Sequence, residues 1–308
     1  MRIAIFGTGA LGALYGARLQ RAGQAVTFIA RGKTLLALRE HGVQVTSASL
    51  GDFTVSPVQG TDDPRTVGHV DLVVFTAKAY DLEGTAEAMR PLVGPGTLVL
   101  PLQNGVEIAE RIGAVLGMEH LLVGMTFTGA VTTAPACVRH LGQDGIRLGE
   151  PGGGPSARAD SVRAVLASAG IPATVSDDIT RDIWAKLVFF AATGGVLSLA
   201  RAPFGAVQAH SGVRGVFIDV MREVEAVARR KGLALPPTVV EDNLAMLDGY
   251  SPDATSSMMR DVVAGRPLEL DVVHGAILRE GKRLGVPTPT CALIYAILSL
   301  HGKGSAQA

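Results

Sequence analysis

One short run near the start, Gly7-Thr8-Gly9-Ala10-Leu11-Gly12, restricts what this chain can fold into more than any other feature. The pattern G-x-G-x-x-G is weak alone, and its surroundings give it force. Before it lies Arg2-Ile3-Ala4-Ile5-Phe6, an apolar run of strand type. After it, Leu11, Leu14, Leu19 and Ala22 recur at helical spacing and stop at Gly23. A second strand-type run, Ala25-Val26-Thr27-Phe28-Ile29-Ala30, follows. Glycines at such a strand–helix junction permit a tight turn, close backbone approach to a pyrophosphate and tight helix–strand packing. The helix start adds free N–H groups and partial positive charge. Gly7, Thr8, Gly9, Ala10, Leu11 and Gly12 thus form a candidate dinucleotide-binding turn.

The alternation continues to about residue 177. Runs at 43–48, 71–78 and 97–105 have strand character, and Asp81-Leu82-Glu83-Gly84-Thr85-Ala86-Glu87-Ala88-Met89 bridges the last two with a helical pattern. Further strand-type runs lie at 120–133, 137–142, 146–150 and 171–178, with a helix expected over 156–170. Pro151-Gly152-Gly153-Gly154-Pro155 fits a surface loop rather than a domain linker. Strand–helix alternation implies βαβ units and a parallel sheet. From residue 178 long helical patterns take over, several ending in basic residues and glycine, as Arg229-Arg230-Lys231-Gly232 does. The expected fold is α/β: a Rossmann-type, doubly wound parallel sheet over 1–177, then an all-helical domain over 178–308 for substrate binding and dimerisation.

Composition excludes several functions. Lys plus Arg and Asp plus Glu both number 28, so there is no basic footprint for nucleic acid. Apolar residues at 47% and charged residues at 18% supply a sizeable core and argue against disorder. Two cysteines cannot build a disulfide framework, and the seven histidines show no metal-ligand spacing, so no metal is expected. The stretch before Gly7 is too short for a signal-peptide core, which makes the cytoplasm the expected location. Residues 187–202 are apolar but fall short of the roughly 20 needed to span a bilayer, and Gly194-Gly195 interrupts them. They are expected to form a buried helix or helix pair, with no membrane partner.

The kind of dinucleotide follows from a missing residue. NAD sites carry an acidic residue about 20 positions after the fingerprint, for the ribose 2′-OH. No carboxylate occurs here before Glu40, and the second strand ends at Ala30-Arg31-Gly32-Lys33. A guanidinium at Arg31 suits a 2′-phosphate, which points to NADP.

Four further motifs complete a recognisable set: Thr76-Ala77-Lys78-Ala79-Tyr80, Leu102-Gln103-Asn104-Gly105, Ile183-Trp184-Ala185-Lys186-Leu187, and Ser256-Ser257-Met258-Met259-Arg260-Asp261 followed by Glu269-Leu270-Asp271. In their order and spacing the chain resembles the ketopantoate reductases (2-dehydropantoate 2-reductases) over nearly its whole length. The resemblance implies NADPH-dependent reduction of a 2-keto acid to a D-2-hydroxy acid, with ketopantoate and pantothenate biosynthesis as the family's case. It makes Lys186 the general acid on the ketone oxygen, with Asn104 and Glu269 in the catalytic group. It places Lys78 and Asn104 beside the nicotinamide ribose and substrate, Ser257 on the substrate carboxylate, and Glu269 on the nicotinamide ribose. A homodimer is expected from the family and the long helices.

The chain also departs from that family. Positions four and eight residues after the lysine, asparagines that contact substrate in the family, are Phe190 and Gly194, and a third lies near Phe204. An apolar substrate shell around Phe190 and Gly194 suits a bulkier acid. The alternatives are therefore a D-2-hydroxy acid dehydrogenase for branched or aromatic substrates and, in another class, a non-catalytic NADPH-binding protein.

Overall fold

The computed structural model describes residues 1–304, which form two compact units. The first comprises Met1–Gln103 and Ile108–Ile179. Its elements begin with β1 (Arg2–Phe6), α1 (Ala10–Arg21), β2 (Ala25–Ile29), α2 (Gly32–His41), β3 (Val43–Thr46), β4 (Phe53–Val55) and β5 (Gln59–Thr61). They continue with β6 (Leu72–Phe75), α3 (Leu82–Met89), β7 (Leu98–Pro101), α4 (Ile108–Leu116) and β8 (Val123–Thr126). The unit closes with β9 (Ala130–Ala134), β10 (Cys137–His140), β11 (Ile146–Gly149), α5 (Ala157–Ser168) and β12 (Ala173–Val175).

Five strands form an all-parallel sheet in the order β5-β2-β1-β6-β7, with Ile3 paired to Val26 on one side and Leu72 on the other. β1, β6 and β7 are almost uniformly apolar because a parallel sheet is covered on both faces. Ile5, Leu14, Tyr15, Phe28, Leu72 and Leu100 belong to its core. Strand order reverses across β1, so the carboxyl ends of β1 and β6 lie side by side at the switch point where such sheets bind ligands.

The fold class stands as expected, with one redistribution of strands. The run at 43–46 leaves the parallel sheet and joins a second sheet, β4-β3-β10-β9, while β12-β11-β8 forms a third. β3 alternates buried and exposed residues, the pattern of a half-covered strand, whereas the central parallel strands β1, β6 and β7 are buried along nearly their whole length. The Pro151-Gly152-Gly153-Gly154-Pro155 loop connects β11 to α5 inside this unit.

Among the described residues, the second unit comprises Asn104–Glu107 and 180–304. Its helices are α6 (Ile179–Ala200), α7 (Phe204–Ala209), α8 (Ser211–Arg230), α9 (Val239–Gly249), α10 (Ser257–Val263), α11 (Ala276–Leu284) and α12 (Pro289–Ser299). A π-helical turn, Asp271–Gly275, leads into α11. The apolar stretch after Lys186 is a single helix that runs through Gly194-Gly195. α6 is long and apolar enough to cross a membrane, but 67% of its most apolar window is buried within the protein. It is the core helix of this unit. Gly195 lets it pack closely: an added Cβ would come within 2.5 Å of His274 Nε2.

Candidate active site

In the first unit the fingerprint is held by backbone contacts. Gly7 has φ +99°, and a Cβ there would lie 2.2 Å from the Ala77 amide nitrogen. A Cβ on Gly12 would meet the Gly7 carbonyl oxygen at 2.3 Å. Thr76 Oγ1 donates to that same carbonyl at 2.7 Å, tying the end of β6 to the turn after β1. Gly9 is different, because a Cβ there would meet nothing within 4 Å. The two flanking glycines are required by the protein's own packing, while Gly9 leaves open surface at the start of α1. That start has no side-chain cap and no acidic residue in its first turn. Uncapped N–H groups beside an open glycine fit a pyrophosphate.

Thr8 Oγ1 donates to the Ile29 carbonyl at 3.1 Å and fixes the turn against β2. Arg31 follows β2 as the exposed N-cap residue of α2, a helix with no acidic residue in its first turn. Lys78 is exposed in the loop after β6. These residues fit the adenosine-phosphate and nicotinamide ends of a dinucleotide.

The second unit gathers the remaining candidates. Lys186, on the second turn of α6, donates from Nζ to Asn104 Oδ1 at 2.9 Å. Asn104 opens the irregular segment Asn104–Glu107, which belongs to this unit although it is flanked in sequence by first-unit elements. Burial pushes the Lys186 ammonium down to about 8, since a low-dielectric environment disfavours the charged form. The acceptor on Asn104 opposes that loss, and so does the Phe190 ring, whose centroid lies 5.3 Å from Nζ. Trp184, two residues earlier, is fully buried in the same helix.

Further along α6, Gly194 faces Met258, whose methyl carbon is 3.7 Å from the position of an added Cβ. That is ordinary contact distance, so the buried Gly194 packs against a thioether with room for a methyl. Phe204, by contrast, is buried in an aromatic stack with Tyr250 (centroids 4.5 Å apart) and Phe189 (6.2 Å), and serves the core. Met258 brings α10 against α6 here. Ser256 is the N-cap of α10 and accepts from the Met259 amide at 3.0 Å, which leaves the neighbouring Ser257 hydroxyl out of the cap. Glu269 is half-buried just ahead of the π-helical turn.

Four contributors carry no functional signal in the sequence. Thr76 and Met258 sit inside motifs whose other residues carry the resemblance, and Glu107 and Arg279 have no local signal at all. The last pair is 172 positions apart, and only the fold joins them.

Comparison with known proteins now decides the family. The ketopantoate reductase PanE/ApbA model matches residues 3–153, and the model of that family's C-terminal part matches residues 178–301. The chain belongs to the ketopantoate reductase family. A 2-dehydropantoate 2-reductase of Archaeoglobus fulgidus is 31% identical to this family member, over 97% of the chain and 96% of the relative. The crystal structure of 2-dehydropantoate 2-reductase from Geobacter metallireducens superposes with a TM-score of 0.93 at 34% identity, covering 97% of this chain and 99% of that one. The ternary structure of D-mandelate dehydrogenase with NADH and anilino(oxo)acetate gives 0.90 at 26% identity, covering 98% of both chains. This family member is an oxidoreductase that uses a nicotinamide cofactor.

Proposed function

We propose that this enzyme reduces a 2-keto acid to the D-2-hydroxy acid with NADPH, in the manner of a 2-dehydropantoate 2-reductase. The observation that carries the reading is the Lys186–Asn104 pair: an ammonium depressed to about 8, fixed at 2.9 Å by an amide oxygen and flanked by an apolar helix. The bound cofactor supplies the hydride. Lys186 Nζ hydrogen-bonds the ketone oxygen, stabilises the negative charge that develops there and delivers the proton. A group that titrates near 8 is mostly protonated at neutral pH and gives up its proton more readily than an ordinary lysine. Ser257 holds the substrate carboxylate through the hydroxyl that the helix cap does not use. Glu269 and Lys78 contact the nicotinamide ribose, and Arg31 pairs with the 2′-phosphate, for which α2 offers no competing first-turn carboxylate. The reaction takes place in the cytoplasm, and the enzyme acts as a homodimer.

The finer reading concerns the substrate. Phe190 stands beside Lys186 Nζ, and Gly194 packs against the apolar Met258 side chain. Such a shell lacks amides for a substrate hydroxyl and favours a branched or aromatic side chain. The D-mandelate dehydrogenase neighbour, seen with an anilino ligand, supports this direction. An apolar site rejects an added hydroxyl only weakly, and each buried methylene contributes about 0.8 kcal/mol.

The test is NADPH oxidation with ketopantoate, 2-ketoisovalerate, 2-ketoisocaproate, phenylpyruvate and phenylglyoxylate. Expected is a kcat/KM for a branched or aromatic acid equal to or above that for ketopantoate, with Phe190→Asn moving the ratio towards ketopantoate. A strong preference for ketopantoate would refute the apolar-substrate reading, and absence of turnover with every acid would support a binding-only protein. The pH dependence has a definite sign: kcat should hold below about pH 8 and fall above it, as the Lys186 ammonium deprotonates.

A further inference from the structure

The segment Asn104–Glu107 has no regular secondary structure, yet it presents the amide that fixes Lys186. Its other end is gripped by one side chain. Arg279, on α11, donates from Nε to Glu107 Oε1 at 3.1 Å and from Nη2 to Glu107 Oε2 at 2.7 Å. This is a two-point fork, the geometry by which a guanidinium fixes the direction as well as the distance of a carboxylate. The same guanidinium donates from Nη1 to Asp271 Oδ1 at 2.7 Å and from Nη2 to the Asp271 carbonyl at 3.0 Å. Asp271 opens the π-helical turn two residues after Glu269. One cation therefore joins the segment carrying Asn104 to the turn that follows Glu269.

Stability does not account for the second grip: Arg279 is 46% exposed and Asp271 53%, and exposed ion pairs contribute almost nothing to folding. Glu107 is only 18% exposed, so its fork adds some stability as well as direction. Positional precision gives a better reason. Asn104 lies three residues from Glu107, and a shift of its amide would remove the acceptor that orients Lys186 Nζ. Interactions that hold a reacting group in place matter out of proportion to their own strength.

We propose that Arg279 is a positioning residue: its fork to Glu107 sets the Asn104 amide against Lys186, and its second grip, on Asp271, holds the guanidinium itself in place for that fork. The proposal rests on the assignment of Lys186 and Asn104 to the reaction, and its test separates the two.

The experiment measures NADPH-dependent reduction of the best 2-keto acid from the panel by Arg279→Met, Arg279→Lys and Glu107→Gln, with Asn104→Ala and Lys186→Ala alongside. Arg279→Met should lower kcat about 10- to 100-fold, with KM changed less than threefold, when measured well below its melting temperature. Arg279→Lys should restore little, because an ammonium cannot form the fork. Glu107→Gln, which keeps shape and loses charge, should show a smaller loss in the same direction. In the Asn104→Ala background, Arg279→Met should cause no further loss of kcat, since its effect passes through that amide. A residue with a purely structural role would instead give multiplying losses, and that result would overturn the proposal. Full kcat in Arg279→Met, with Asn104→Ala and Lys186→Ala impaired, would also overturn it and leave the site assignment intact. Full kcat in Asn104→Ala and Lys186→Ala would remove the site assignment and the proposal together.

Discussion

The two compact units build their candidate sites by opposite means. In the first, the cofactor turn is backbone: three glycines in six residues, two pressed against neighbouring main chain and one left open. In the second, the chemistry rests on side chains from α6, α10, the turn before α11 and a four-residue segment distant in sequence. A site made of main chain depends on local conformation and tolerates almost no added atom where it is packed. A site made of side chains depends on what the fold brings together, and its members can be exchanged singly while the rest remains. The apolar replacements at Phe190 and Gly194 are of this second kind.

That contrast can be broken most sharply at Lys186. If Lys186 supplies the proton and no cofactor contact, Lys186→Ala should lower kcat by about 10²–10⁴-fold, the range for a positioned general acid. NADPH affinity should stay within about twofold, because first-unit groups carry it. Stopped-flow turnover and fluorescence titration read the two quantities separately. Near-normal kcat would remove Lys186 from the mechanism, and a large loss of NADPH affinity would show that the division between the units is wrong.

Arg31 tests the side chain on which the first unit depends for the 2′-phosphate. A charge-assisted hydrogen bond contributes about 1.5–3 kcal/mol, so Arg31→Ala should weaken NADPH binding about 10- to 100-fold while NADH binding barely changes. Equal losses for the two cofactors would refute the 2′-phosphate assignment.

Gly9 gives the smallest effect and sharpens the comparison. Its φ of −84° is open to any residue, and a Cβ meets no protein atom within 4 Å. Gly9→Ala should therefore leave the melting temperature unchanged and weaken both cofactors about tenfold, close to 1.4 kcal/mol, by obstructing the phosphate. A drop in stability without a change in cofactor affinity would mean that this glycine serves packing, as Gly7 and Gly12 do.

The first unit's parallel core and its fingerprint are written in local sequence. A glycine demanded by a positive φ or a main-chain contact, and a strand buried on both faces, leave local marks that need no knowledge of distant residues. Lys186 is marked by the motif that resembles the ketopantoate reductases, Ile183-Trp184-Ala185-Lys186-Leu187, and it heads an almost uncharged stretch. The destination of the run at 43–46 was not legible, since a short strand does not encode its partner. The tertiary structure likewise decided that Ser256 caps α10 and Ser257 does not, and that Phe204 fills an aromatic stack while Phe190 stands beside the lysine. Only the fold could place Glu107 against Arg279, because a salt bridge across 172 positions follows from how the chain returns on itself and not from any spacing within it.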